Sequence, residues 1–457
     1  MKITKTGLFF LMMCYSWIFP SVAVAQQLDP ELTQLIQRGL EKNHGVQVQE
    51  YESQQAKLDQ KLAKSVFLPK ISLNGSYTRL NDDITFDEGT TNLLVSTQKL
   101  LIKEAAGLPF NSPFPESIAL QEVPSLQNKN ILKSSVDLDW VLFSGFEATN
   151  ALKASKHKEA SLNYALLAEK DKIALQIIET YDKLALVKAS EKVLSTSEDY
   201  LEEQEYYVKK AIENGLATPI SRNKVELARQ QLASRQLDYK QKTALLLEVL
   251  HQLTGESIEK LQLLEPQLNP LSPEVAVLPE KRNEVKALEE AEKAGLYKAK
   301  MERSNFIPKL ALKGHYELLE DDLSLLDPVW YVGVGVKWNI FDGTQSRLKG
   351  QKAELESRKY GEKKEEAEEM IALSITKARL GYESALQNVS MVQKEIELAR
   401  ATYTMVNKQY KNDLASINDV LDALTDLEKA NFKLQESYFN QRRAVTDLLH
   451  AKGILTY

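Results

Sequence analysis

The stretch Asp419-Val420-Leu421-Asp422-Ala423 places two carboxylates three residues apart. On a helix that spacing puts both on one face. Carboxylates gathered in this way attract cations and repel anions. A second reading requires no ligand. Ser416 stands three residues before Asp419, which is the spacing of a helix capping box. No other grouping points to chemistry. His44, His157, His251, His315 and His450 are far apart and fall on different predicted elements. There is no HExxH, P-loop, GxSxG or strand-end GxGxxG pattern. Cys14 is the only cysteine, so neither a disulfide nor a thiolate metal site is expected. The formal net charge of −6 offers nothing to a polyphosphate partner. The expectation is a non-enzyme with no cofactor, no metal and no nucleic-acid partner.

The N-terminus reads as an address. A basic head, the apolar run beginning at Gly7 and the small-x-small site Ala23-Val24-Ala25 make residues 1–25 a secretory signal peptide. Cys14 leaves with it. The apolar run is too short to span a bilayer as a helix, and nothing after it approaches the required length. An exported chain of this kind is soluble or enters a membrane as β-strands.

The elements that must position the two aspartates come from a tandem repeat. Trp140, Phe143 and Gly145 recur as Trp338, Phe341 and Gly343, each 198 positions later. The same offset pairs Asn214-Gly215-Leu216-Ala217 with Asn412-Asp413-Leu414-Ala415, and Gly255 with Gly453. "FLPKISLNGSY" from Phe67 and "FIPKLALKGHY" from Phe306 are 239 positions apart, so the first copy carries an insertion at about 81–134. The predicted organisation is a first repeat over 26–254, a proline-rich linker over 255–282 and a second repeat over 283–457. Each repeat has a helix leading into a strand, running from about Asp29 to Phe67 and from about Glu284 to Phe306. A second strand and a long helix follow, 147–213 in the first copy and 345–411 in the second, and then a return helix, 219–253 or 417–452. Each long helix would extend about 100 Å. Tyr382, Ala385, Val389, Val392, Ile396, Ala399, Tyr403, Val406 and Tyr410 make a 3-4 seam along the second. In the first, Val187, Leu194, Leu201 and Val208 keep the seven-residue step, and Glu191, Glu198 and Glu205 occupy the slots between, predicting a narrower or wetter seam.

The predicted strands are 70–80, 135–143, 309–319 and 330–341. Ile71, Leu73 and Tyr77 oppose Lys70, Ser72 and Asn74, and Leu310, Leu312 and Tyr316 oppose Lys309, Lys313 and His315. Each strand has one apolar and one polar face at a length that suits a membrane-crossing strand. Four strands cannot close a barrel, and open edges are not tolerated in lipid. Several chains would have to pool them.

With its tandem repeat, its "FLPK"/"FIPK" and "FSG"/"FDG" junctions and its tips "NGLATPIS" and "NDLASINDVLDA", the chain resembles TolC-type outer-membrane efflux and secretion channels over nearly all its mature length. The resemblance implies a mainly α fold with membrane β-strands. A homotrimer would form a 12-stranded barrel in outer-membrane lipid, continued by a periplasmic α-barrel of coiled-coil helices. It implies a passive exit duct of a tripartite pump or type I secretion system, served by a periplasmic adaptor and an inner-membrane transporter. It places the pore constriction at Asp419 and Asp422, and adaptor docking at Asn214, Gly215, Leu216, Asn412, Asp413 and Leu414. Tip-closure contacts fall on Tyr410, Ser221 and Arg222. The chain departs from the family where the latter uses an aspartate (here Ser221) and an arginine (here Ala415). The rival reading is a periplasmic coiled-coil scaffold or adaptor without a pore.

Overall fold

The computed structural model describes residues 29–271, 279–319 and 328–457. The predicted signal peptide lies outside them, as do part of the linker and the β3–β4 connection. The described elements run α1 (Pro30–Lys42), α2 (His44–Ser65), β1 (Lys70–Arg79), α3 (Glu88–Ala105), β2 (Asn130–Phe143), α4 (Glu147–Glu213), α5 (Pro219–Thr254), α6 (Ile258–Gln262), α7 (Asn283–Arg303), β3 (Lys309–Leu319), β4 (Trp330–Lys337), α8 (Gln345–Tyr410) and α9 (Ile417–Ala451).

Several expectations are corrected. The first helix breaks at Asn43, whose backbone is extended and whose side chain accepts the Gly45 N–H at 2.8 Å, starting a new helix. The insertion carries a helix that the sequence reading did not place. This is α3, capped by Asp87, which accepts from Thr90 N at 3.0 Å, and closed by Gly107 at φ 65°. Strand β2 begins at Asn130 rather than 135, because residues 130–134 continue the ladder opposite Gly75–Arg79. Strand β4 ends at Lys337 rather than 341.

The chain divides into two compact units, and neither is a repeat. One comprises Met1–Glu52, Asn163–Ala287 and Lys364–Tyr457; the other comprises Ser53–Leu162 and Leu288–Lys363. Each unit draws on both copies.

The first unit is helical. Leu32 and Ile36 of α1 pack on Ile177, Tyr181 and Leu184 of α4 and on Leu250 of α5. Gly39 permits that approach, since a Cβ there would stand 2.4 Å from Ile177 Cδ1. Towards the helical turns, Leu194, Leu201 and Val208 of α4 join Tyr403 of α8 and Val420, Leu424 and Leu427 of α9 in a second cluster. The α8 seam lies as its spacing predicts, with every seam residue buried or half-buried. The α4 seam corrects the expectation. Ser190, Ser197 and Gln204 are the buried residues between Val187, Leu194, Leu201 and Val208. The glutamates sit one position on and hold the return helix instead. Glu191 accepts from Thr243 at 2.9 Å, Glu198 from Gln236 at 2.9 Å and Glu205 from Arg229 at 2.6 Å.

The second unit carries a four-stranded antiparallel sheet in the order β1-β2-β3-β4, so the central β2–β3 pairing joins the two repeats. Among the described residues no helix is long and apolar enough to cross a membrane.

Candidate functional site

The two helix–strand junctions share one lock. Trp140 Nε1–H donates to the Phe67 carbonyl at 2.9 Å, and Trp338 Nε1–H donates to that of Phe306 at 3.0 Å. Each indole therefore pins the residue where its repeat's first helix hands over to a strand. Ser144 and Asp342, 198 positions apart, cap the long helices: Ser144 Oγ accepts from Ala148 N at 3.1 Å, and Asp342 Oδ2 from Ser346 N at 3.0 Å. The sequence carried the signal in the recurrence of Phe67 as Phe306 and of Trp140 as Trp338, but it did not show the bonds.

Register sorts the sheet into two faces. One apolar row runs Leu73, Val136, Tyr316, Trp330 across all four strands, and another runs Ile71, Leu138, Gly314, Val332. Most of these apolar side chains on β1 and β4 are exposed. The opposite face carries Ser72, Asp137, His315 and Tyr331 in one row. There Asp137 Oδ1 lies 2.6 Å from His315 Nδ1, with Tyr331 stacked on the imidazole at 5.2 Å. An exposed apolar face behind a charged one matches a membrane strand with lipid outside and water inside.

At the other end of the long helices both turns are Schellman motifs. Leu216 N–H donates to the Ala211 carbonyl at 2.8 Å and Gly215 N–H to that of Ile212 at 3.0 Å. The second copy repeats this with Leu414 to Gln409 at 2.9 Å and Asp413 to Tyr410 at 3.0 Å. Gly215 sits at φ 72° and Asp413 at φ 58°, the left-handed region that glycine enters freely and aspartate tolerates. Asn214 and Asn412 are exposed beside them. Leu216 and Leu414 protrude at 67% and 78% exposure.

Comparison with known proteins completes the picture. Residues 278–453, essentially the second repeat, match the family model for outer membrane efflux protein. No curated protein matches the chain by sequence. Among solved structures, the outer membrane protein VceC of Vibrio cholerae aligns with TM-score 0.74 at 16% identity, spanning 93% of this chain and 96% of that one. The CmeC outer membrane channel of Campylobacter jejuni aligns at 0.72 and 16%, spanning 93% and 86%. The open state of the MtrE outer membrane channel of Neisseria gonorrhoeae aligns at 0.68 and 15%, spanning 93% and 89%. The likeness shows the fold, and the family match covers the second repeat. Over residues 278–453 the chain matches the outer membrane efflux protein family, and as a whole it takes the fold of the outer membrane channels. The family is one of outer membrane efflux proteins, and the solved structures that share the fold include outer membrane channels.

Within this chain the tip residues separate by their contacts. Asp419 closes the capping box: its Oδ2 accepts from Ser416 N and from Ser416 Oγ, both at 2.7 Å, and Ser416 Oγ accepts from Asp419 N at 3.3 Å. Those bonds hold its carboxyl below the usual carboxylate value. Asp422, one helical turn on, is exposed and bonds to no described residue. Tyr410 points inward. Its hydroxyl is buried without a partner, and burial followed by the charge of Asp413 raises its pKa above the ordinary value. Arg222 is exposed, and Ser221 is half-buried. Neither is brought into contact with Tyr410 by any hydrogen bond among the described residues. Sequence reading missed Lys224, which donates to Asn418 Oδ1 at 2.7 Å and so bridges the return helices α5 and α9. Among the described residues no group of side chains could hold a metal ion.

Proposed function

We propose that three copies close into one duct, the exit channel of a tripartite efflux pump or type I secretion system. The observation that carries the reading is the pair of open edges: among the described residues β1 and β4 each lack one neighbour, and both are exposed along their whole length. Lipid does not tolerate unpaired backbone groups. Joining β1 of one copy to β4 of the next is a head-to-tail contact that closes when it forms a ring. Three copies would supply twelve strands. The helices next to those edges support this. Val48, Tyr51, Leu58 and Leu62 are exposed on α2, and Met391, Leu398 and Met405 form an exposed seven-residue stripe on α8. Both need a partner surface.

The duct is passive and takes its cargo from an inner-membrane transporter through a periplasmic adaptor. The adaptor docks on the turns at Asn214, Gly215, Leu216, Asn412, Asp413 and Leu414, where the two exposed leucines supply apolar anchors. The same end forms the constriction. Asp422, unengaged, is the charge that faces permeating ions, and Asp419 acts there as well as capping its helix. Tyr410, Ser221 and Arg222 take part in closing the tip. The test is conductance of the purified channel in planar bilayers. Substituting alanine for both Asp419 and Asp422 should reduce cation selectivity. Unchanged selectivity removes them from the pore, and absence of conductance in the native protein removes the channel.

A further inference from the structure

Where the polar face of the sheet meets the helices there is a notch of about 540 Å³, a size that suits a small organic ligand. Its floor is flat because the strands carry small residues there, with Ala311 opposite Gly335 and Val141 beside them. Its walls are apolar, from Ala148 and Ala151 of α4 and Met301 of α7. Its rim is basic. Lys309 and Lys337 stand directly opposite each other across the β3–β4 ladder, and Lys313 follows on the same face. Like charges in opposed positions destabilise a ladder. Only part of this charge is answered. Lys309 is paired with Glu147, Lys313 lies 3.8 Å from Asp139, and Lys337 has no partner among the described residues.

We propose that this notch binds an anionic amphiphile, with an apolar body on the small-residue floor and a sulfonate, carboxylate or phosphate head between Lys313 and Lys337. Two ammonium groups above an apolar floor, Lys337 without a counter-charge among the described residues and Lys313 only loosely paired with Asp139, are complementary to that chemistry. The ligand is a free organic anion rather than a membrane lipid, because the notch opens on the polar face, away from the apolar rows that meet lipid. The inference uses the channel reading only in taking that face to line the lumen.

The test is photolabelling of the full chain in neutral phosphatidylcholine vesicles with a diazirine-bearing alkyl sulfonate, the label being mapped by mass spectrometry. Label should fall on the peptides holding Met301, Val141 and Gly335, and excess unmodified alkyl sulfonate should compete it away. Lys313→Gln with Lys337→Gln should reduce it about tenfold. Gly335→Leu should block the floor with all lysines kept, since a Cβ there meets only the Ala311 carbonyl, at 4.0 Å. Labelling that survives both variants overturns the site, as does equal labelling by an alkylammonium probe. Competition by added phosphatidylglycerol overturns the free-anion assignment. Absence of label in the assembled protein means that a neighbouring copy fills the notch, and the proposal fails. Conductance of the same vesicles reports separately on the channel reading.

Discussion

At one tip the chain turns on Gly215 and at the other on Asp413, with the same backbone bonds 198 positions apart. The residues after the turns differ. Thr218 begins α5 without any side-chain capping bond, whereas Ser416 and Asp419 complete a capping box on α9. Ser221 stands where the second copy has Asp419, and Lys224 where it has Asp422. Other left-handed positions repeat as well: Gly145 with Gly343, Phe146 with Thr344 and Gly255 with Gly453. The two halves thus share these backbone devices, while their side chains differ. In a ring of three chains, three copies of Lys224 would stand at the first-copy places that answer to Asp422, beside the acids proposed for the constriction.

Exchanging residues between the copies tests this most strongly at the buried ion pair that ties them together. Asp182 of α4 and Arg442 of α9 lie 2.8 Å apart, both nearly inaccessible. Their counterparts are Leu380 and Ala244. Burial raises the Asp182 carboxyl pKa, and the guanidinium opposes this. Asp182→Leu alone strands Arg442 and should cost about 3–5 kcal/mol, measured by denaturant unfolding. Asp182→Leu with Arg442→Met should recover most of it. If the single variant is as stable as the native chain, the pair does not hold the repeats together.

The tips provide two smaller exchanges. Lys224→Ala should increase cation selectivity, opposite in sign to Asp422→Ala; the same sign from both would show that the two positions do not share one ring. Ser221→Asp should build the missing capping box with Thr218 and slow amide exchange in the first turn of α5, a gain of roughly 0.5–1 kcal/mol.

The α8 seam was legible because its 3-4 steps are apolar throughout. The α4 seam was not, because Ser190, Ser197 and Gln204 are polar and the neighbouring glutamates kept the same seven-residue beat. Burial chose the smaller and neutral residues, and the glutamates found donors on α5. Helix α3 was hidden by the prolines that follow it, although Asp87 and Gly107 marked its ends. The candidate acids were legible as a pair, but their division of labour depends on which carboxylate Ser416 engages. Lys224 was passed over because a lysine on a helix surface carries no signal until its partner is known.

The smallest expected effect lies at the end of α9. Burial, and then the charge of Arg282, hold His450 below the ordinary histidine value. The unfolded chain takes up that proton near pH 6.5, and the folded one resists it. Stability should therefore fall as pH drops from about 6.5 towards the folded pKa, and His450→Gln, the residue of the first copy at Gln252, should flatten that slope. Thermal melts over that range measure it, and an unchanged slope would place the protonation elsewhere.

Native mass spectrometry of the mature protein, released from mild detergent, weighs the assembly directly. The account predicts three chains held together, with β1 of each beside β4 of the next. A population of single chains that nonetheless conducts in bilayers would contradict it.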